Sequence, residues 1–251
     1  MQKVAKALVL AGCAGLPFLS TAARAADEPP VHSFTGKVAL YSEYEYRGIG
    51  QTAEKPALQL NLDYAHKSGF YVGTFLTNIK WLEELSPGSN ANIEWDIYGG
   101  FKFPVGADVT LDVGYLRYEY PSSSEFNPKP NTDEVYIGAS WGPATLKYSY
   151  SINDTFGVPN SKGSDYIELA VNYPLPQLEK LTINAILGHQ QYRHNDPLDY
   201  TVWKLGATWD FGSGFTAGAY YKDTNADKSA YTVNGKDWGK GRAVAFVAWT
   251  F

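Results

Sequence analysis

Along most of this chain apolar side chains occupy every second position. Leu58, Leu60, Leu62 and Tyr64 alternate with Gln59, Asn61, Asp63 and Ala65, the period of a half-buried strand and not of an amphipathic helix. Ile93, Trp95 and Ile97 stand opposite Glu94, Asp96 and Tyr98; Val109, Leu111, Val113 and Tyr115 oppose Thr110, Asp112 and Gly114; Ile167, Leu169, Val171 and Tyr173 oppose Glu168, Ala170 and Asn172. The pattern predicts twelve strands, at about 35–47, 57–66, 70–79, 92–103, 108–120, 132–141, 144–152, 164–173, 181–192, 200–211, 215–224 and 241–251. Most approach the roughly 9 to 11 residues that cross a bilayer at a tilt.

The connections alternate in length. Short ones fall at 67–69, 104–107, 142–143, 174–180 and 212–214, most of them rich in turn formers. Long ones fall at 48–56, 80–91, 121–131, 153–163, 193–199 and 225–240. With both ends of the chain on the short-turn side, this is the topology of an all-β, antiparallel transmembrane barrel with periplasmic turns and extracellular loops.

Aromatic residues select the lipid face. Near the short turns the apolar faces carry Tyr64, Phe70, Phe101, Phe103, Trp141, Tyr173, Trp209, Phe211, Phe215, Trp249 and Phe251, a lower girdle. Tyr44, Tyr46, Tyr150, Trp203 and Tyr221 form the expected upper girdle, with smaller apolar residues such as Val38, Leu40, Leu205 and Ala207 between the two. A soluble barrel with these faces turned inward would crowd the lower aromatics into one end of a wide interior. The last strand carries Ala243, Ala245, Val247, Trp249 and Phe251 on one face. It resembles the terminal strand of bacterial outer-membrane barrels, which the insertion machinery reads.

Lys3 and Lys6, an apolar stretch to Leu19 and Ala23-Arg24-Ala25 have the form of a secretory signal peptide over residues 1–25. Leu10-Ala11-Gly12-Cys13 also resembles a lipoprotein box. Only Ala7 to Val9 separate it from Lys6, fewer than the roughly 7 residues of an apolar core. Cleavage after Ala25 removes the only cysteine, which excludes disulfides and thiolate chemistry. It leaves one domain, 26–251, and lowers Lys+Arg from 21 to 18 against 26 acidic residues, so the formal charge moves from −5 to −8. That balance argues against nucleic acid as a partner. No run of 18 apolar residues follows, so no transmembrane helix is expected. The expected location is the outer membrane of a Gram-negative cell, among outer-membrane lipid and lipopolysaccharide.

The sequence from Tyr41 through Ser42-Glu43-Tyr44-Glu45-Tyr46-Arg47-Gly48-Ile49-Gly50-Gln51-Thr52, then Pro56-Ala57-Leu58-Gln59 and Asp63 to Thr74, resembles the TorF family of porins. Leu146 to Ser151 and Asp223-Thr224-Asn225 resemble it too. That family usually has Ser-Asp-Tyr before its Arg-Gly and Ser or Thr before the Gln, where this chain has Glu43 and Gly50. The resemblance implies an outer-membrane barrel and no particular substrate.

The polar face carries the function. Glu43, Glu45, Asp63, Glu94, Asp96 and Asp112 come from the first five predicted strands, and Lys147, Lys204, Lys222 and Arg242 from the last six; Arg47, Glu134 and Glu168 join them as expected pore-lining residues. So many ionised groups require water or mutual pairing. A largely acidic wall facing a largely basic one would either set up a transverse field or pair across the lumen as struts.

No enzyme is expected. Of the four histidines, His32 and His66 lie at the short-turn end, His189 faces outward, and His194 beside Asp196 lacks a nucleophile and oxyanion donors. Asp223 to Asp227 spaces oxygens like the start of a calcium loop, but Lys228 and Asn234 occupy positions where Gly and Glu are needed. No metal, cofactor or nucleotide site follows. The expected function is passive diffusion of small hydrophilic solutes, with Asn61, Tyr98 and Tyr136 offering hydrogen bonds; the alternative is a closed barrel with a structural or extracellular binding role.

Overall fold

The computed structural model describes residues 30–251, so the signal-peptide and lipoprotein readings lie outside the described residues. Twelve antiparallel strands close into one barrel. They are β1 (His32–Tyr41), β2 (Ala57–His66), β3 (Phe70–Asn78), β4 (Ile93–Val105), β5 (Val109–Glu119), β6 (Thr132–Trp141), β7 (Ala144–Ser151), β8 (Asp165–Leu175), β9 (Leu178–Gln191), β10 (Tyr200–Gly212), β11 (Phe215–Thr224) and β12 (Arg242–Thr250). Each strand pairs with its sequence neighbours, and β1 closes the ring on β12 from Lys37 opposite Thr250 to Tyr41 opposite Phe246. Closure leaves no unpaired strand edge, which a hydrocarbon environment demands.

The alternation places apolar side chains outside. Leu40, Leu58, Leu62, Val72, Ile137, Leu205 and Val247 are exposed around the wall. Phe70, Phe101, Trp141, Tyr173, Phe211, Phe215, Trp249 and Phe251 ring the short-turn end. Among the described residues no helix is long and apolar enough to cross a membrane. The strands themselves carry the span.

Inward tyrosines lie flat because glycines beside them leave room. A Cβ on Gly114 would sit 2.3 Å from the Tyr136 hydroxyl, and one on Gly188 2.1 Å from that of Tyr166. Adjacent-strand glycines thereby fix how far these rings reach into the lumen.

Two expectations need correction. The first strand, expected over 35–47, ends at Tyr41. Tyr41 already stands opposite Ala57 on β2. Beyond it the backbone pairing with β12 ends at Ser42, whose N donates to Ala245 O at 2.9 Å. The chain then turns into the barrel. Tyr44 and Tyr46 are therefore buried in the lumen, at 3% and 8% exposure, and are not part of an upper girdle; Trp95, Tyr150, Trp203 and Tyr221 occupy that outer level. The connection expected over 174–180 contracts to two residues, because β8 and β9 stay paired past a register shift at Pro174/Leu175.

Candidate functional site

Residues 42–56 form a plug inside the barrel. Glu45–Tyr46 pairs with Ile49–Gly50 across Arg47-Gly48, both with positive φ of 47° and 85°, as a type I′ turn requires. Gln51 N donates to Tyr44 O at 2.9 Å and Tyr44 N to Thr52 Oγ1 at 3.1 Å, which closes the base of the hairpin. At its tip a Cβ on Gly48 would meet Val202 Cγ2 at 2.4 Å. Gly48→Ala combines that clash with a strained φ and is expected to expel the tip, read as loss of amide exchange protection in residues 45–50 with the barrel's heat-modifiable gel mobility retained.

Charges dock the plug on the wall. Glu43 pairs with Arg242 of β12 and Glu45 with Lys204 of β10. Arg47 Nη2 pairs with Glu134 of β6 at 2.7 Å, and Nη1 donates to Gln190 Oε1 of β9 at 2.9 Å. Its guanidinium lies 4.8 Å from the ring centroid of Tyr46 and 4.3 Å from that of Tyr166. Buried pairs of this kind add little net stability but are costly to break singly. They specify position. The plug's acids thus meet the basic wall and its arginine meets a glutamate, so the opposed charges act as struts through an inserted segment.

Lys222 is fully buried. Its ammonium donates to Gly48 O at 2.7 Å and to Lys240 O at 2.9 Å. One side chain therefore holds both the plug tip and the loop after β11.

Apolar contacts fill the extracellular half of the lumen. Tyr44, Tyr46, Phe75, Leu82, Tyr118 and Tyr120 belong to one cluster; Ile49, Ala53, Tyr166, Tyr200, Val202 and Trp238 belong to another. Glu94 accepts from Tyr44 Oη at 2.6 Å and Tyr120 Oη at 2.9 Å, and the Tyr46 and Tyr118 hydroxyls are 2.8 Å apart. Above the plug, Lys80 N and Trp81 N donate to Gln51 O at 2.8 and 3.2 Å, and Gly50 N donates to Trp238 O at 3.0 Å.

Two extracellular loops are tied together by Glu84. Its carboxylate accepts from Asn234 Nδ2 at 2.7 Å and from Lys236 Nζ at 3.2 Å. These contacts hold the Glu84 carboxyl below its ordinary range. A depressed folded-state value gives a contact that is present above about pH 4.3 and lost as pH falls through the lower folded value. The Asn234 side-chain amide resonance is expected to titrate in that acid window, and Glu84→Gln should abolish the titration.

The lower lumen is polar. Tyr98 donates to Asp63 Oδ1 at 2.6 Å and Tyr71 to Asp112 Oδ1 at 2.6 Å. Lys102 reaches Asp112 at 3.9 Å, and the Lys147 ammonium lies 4.1 Å from the ring centroid of Tyr136. Higher up, opposite Phe75 and Tyr118 in register, Asp96 is fully buried. Beneath the plug tip a small cavity of about 40 Å³ is bordered by Tyr46, Arg47, Gly48, Tyr118, Lys147, Ser149, Tyr166, Glu168, Ile186, Val202 and Lys204.

Of the residues expected to line the pore, Glu43, Glu45 and Arg47 stand on the inserted segment and not on β1, whereas Asp63, Glu94, Asp96, Asp112, Glu134, Lys147, Glu168, Lys204, Lys222 and Arg242 stand on barrel strands. The plug was not foreseen. Its available signal was Arg47-Gly48, a turn-forming step at the end of a strand-like alternation.

The other motifs have local roles. His189 faces outward and its Nδ1 lies 3.0 Å from Thr201 Oγ1. His194 Nδ1 lies 3.3 Å from Asn160 O, and Asp196 begins a short 3-10 turn. Asp227 caps the helix Lys228–Tyr231, accepting from Ser229 N at 2.7 Å. Among the described residues no group of three or more His, Cys, Asp or Glu is placed to hold a metal ion.

No curated protein matches the sequence. Among solved structures, a KdgM porin superposes with a TM-score of 0.57 at 8% identity, covering 86% of this chain and 99% of that one. A KdgM porin in complex with disordered oligogalacturonate gives 0.55 at 8% identity, covering 88% and 99%, and a NanC porin gives 0.54 at 12%, covering 86% and 98%. At these identities the likeness is one of fold. Residues 24–251 match the family described as "Bacterial protein of unknown function (Gcw_chp)", and the chain belongs to that family.

Proposed function

We propose that this protein is an outer-membrane channel for small hydrophilic solutes, with passage controlled by the plug at residues 42–56. The observation that carries the reading is a closed twelve-stranded wall, apolar outside and lined inside with ionised groups. Porin-type barrels of similar strand architecture, one of them described with an oligogalacturonate, support it, as does the TorF-like sequence around Arg47-Gly48. Outer-membrane lipid and lipopolysaccharide would contact the aromatic girdles, and the strand ending at Phe251 would be read by the insertion machinery. Solutes would move down their gradients with no cofactor and no chemical step. The pore-lining role belongs to Asp63, Asp112, Lys147, Glu168 and Lys204 below the plug, and to Glu43, Glu45, Arg47, Glu94, Asp96, Glu134, Lys222 and Arg242 around it.

A closed barrel with an extracellular binding role is the second reading, favoured by the apolar clusters that fill the loop end. Planar-bilayer recording of the refolded protein under a salt gradient separates the two. Openings with a charge-selective reversal potential are expected of the channel. Silence of the intact barrel across applied voltage, from protein shown to be folded by heat-modifiable mobility, would establish the closed form.

A further inference from the structure

Two of the four histidines face each other across neighbouring strands. His32, at the start of β1, stands opposite His66, at the end of β2. In the next pair along, Lys67 N donates to Val31 O at 3.0 Å, so the histidines occupy a non-hydrogen-bonded pair, where cross-strand side chains come closest. They share the outward parity of Phe34, Leu58 and Leu62, which are exposed. Val31 and Lys67 have the opposite parity. The two imidazole centroids are 5.3 Å apart, with the ring planes inclined at 53°.

Each ring is held by one nitrogen. His32 Nδ1 lies 3.0 Å from the hydroxyl of Tyr64, whose ring stacks on the imidazole at 6.0 Å, and His66 Nδ1 lies 2.9 Å from the hydroxyl of Ser68. The Ser68 amide also donates to His66 Nδ1 at 3.2 Å; Ser68 is exposed, so water serves that amide when the nitrogen carries a proton. Among the described residues neither Nε2 has a partner. A histidine that donates from Nδ1 to an oxygen and leaves Nε2 bare is in the tautomer that binds a metal. An ion with tetrahedral angles and metal–nitrogen bonds of about 2.0–2.1 Å sets two imidazole centroids about 5 Å apart. The observed spacing is that of a chelate. Contact with lipid headgroups alone, an ordinary role for outward polar rings at a membrane interface, needs neither the matched register nor a hydroxyl at each Nδ1.

We propose that His32 and His66 chelate one zinc(II)-type transition-metal ion through their Nε2 atoms at the short-turn rim, with water completing its coordination. Imidazole nitrogen selects zinc, copper and nickel over calcium and magnesium. The positions left to water keep the ion exchangeable. Bound there, it joins β1 to β2 at the end of the barrel remote from the plug. The site is independent of the channel reading, because binding is measured whether or not the barrel conducts.

The test is titration calorimetry of the tag-free, detergent-folded protein, residues 26–251, stripped with a chelator and titrated with zinc(II) and with calcium(II). Zinc is expected to bind at one equivalent and calcium not at all, and copper(II) should bind more tightly than zinc. His32→Gln and His66→Gln should each weaken zinc binding at least about tenfold, since either change reduces a chelate to a single contact. The double variant His189→Gln/His194→Gln should bind as the native chain does. Zinc should also slow exchange of the Lys67 amide, which donates to Val31 O, in the native chain and in neither ligand variant, with heat-modifiable mobility showing every protein folded. No saturable zinc binding, equal binding of calcium, loss in only one of the two ligand variants, or the same loss in the His189/His194 variant would overturn the proposal.

Discussion

Replacing residues 42–56 with a two-residue Asn-Gly turn is expected to turn the barrel into a large, continuously open pore. The wall permits the change because Tyr41 and Ala57 are already opposite one another on β1 and β2. A tight hairpin can join them without altering any strand register. What disappears is the material that fills the extracellular half: Tyr44, Tyr46, Ile49 and Ala53, with their contacts to Phe75, Tyr118, Tyr200 and Trp238.

A single substitution should act in the same direction. Arg47→Ala leaves Glu134 buried without its guanidinium partner, a loss of about 3–5 kcal/mol. Taken as a two-state equilibrium between docked and undocked plug, that is roughly a hundredfold to a few thousandfold more of the undocked form. Single-channel recordings of the three proteins should rank intact, Arg47→Ala and plug-shortened in rising mean current. A plug-shortened barrel that folds and conducts no more than the intact one would show that the plug is not the barrier.

The second large effect is expected at Lys222. Lys222→Met removes its charge-assisted hydrogen bonds to Gly48 O and Lys240 O, at about 1.5–3 kcal/mol each. The plug tip and the loop after β11 are thereby uncoupled. Exchange of the Gly50 amide, which donates to Trp238 O, should speed by roughly a hundredfold or more, while amides in the middle of β4 and β9 keep their protection. Uniform loss of protection around the barrel would instead assign Lys222 to the stability of the wall.

Strand number and facing were legible because a period of two leaves one face for lipid and the other for the lumen. Leu58, Leu60 and Leu62 admit only one such assignment once the girdle aromatics are included. The inserted segment was not legible for the same reason. Tyr44 and Tyr46 have the same parity as Leu40, and alternation alone does not say where pairing with β2 stops. The end of β1 is fixed by register with a strand that begins at Ala57, a long-range relation with no local signature. The charge pattern was readable as far as its sign: acids on one side and bases on the other left both a transverse field and pairing across the lumen open. The pairing's route through Glu43-Arg242 and Glu45-Lys204 depended on the inserted segment and so stayed hidden.

The plug comes from the first connection of the barrel, yet it docks on the last strands. Glu43 and Arg242 are separated by 199 residues, and Gly48 and Lys222 by 174. The Gly48 contact cannot form before β11 is in place, nor the Glu43 pair before β12 is. During assembly the early hairpin therefore docks only once the last strands are present. The seat for a segment that leaves the barrel's first strand is thus built by the final part of the chain, which ties the two ends of the sequence through the lumen as well as through the β1–β12 pairing.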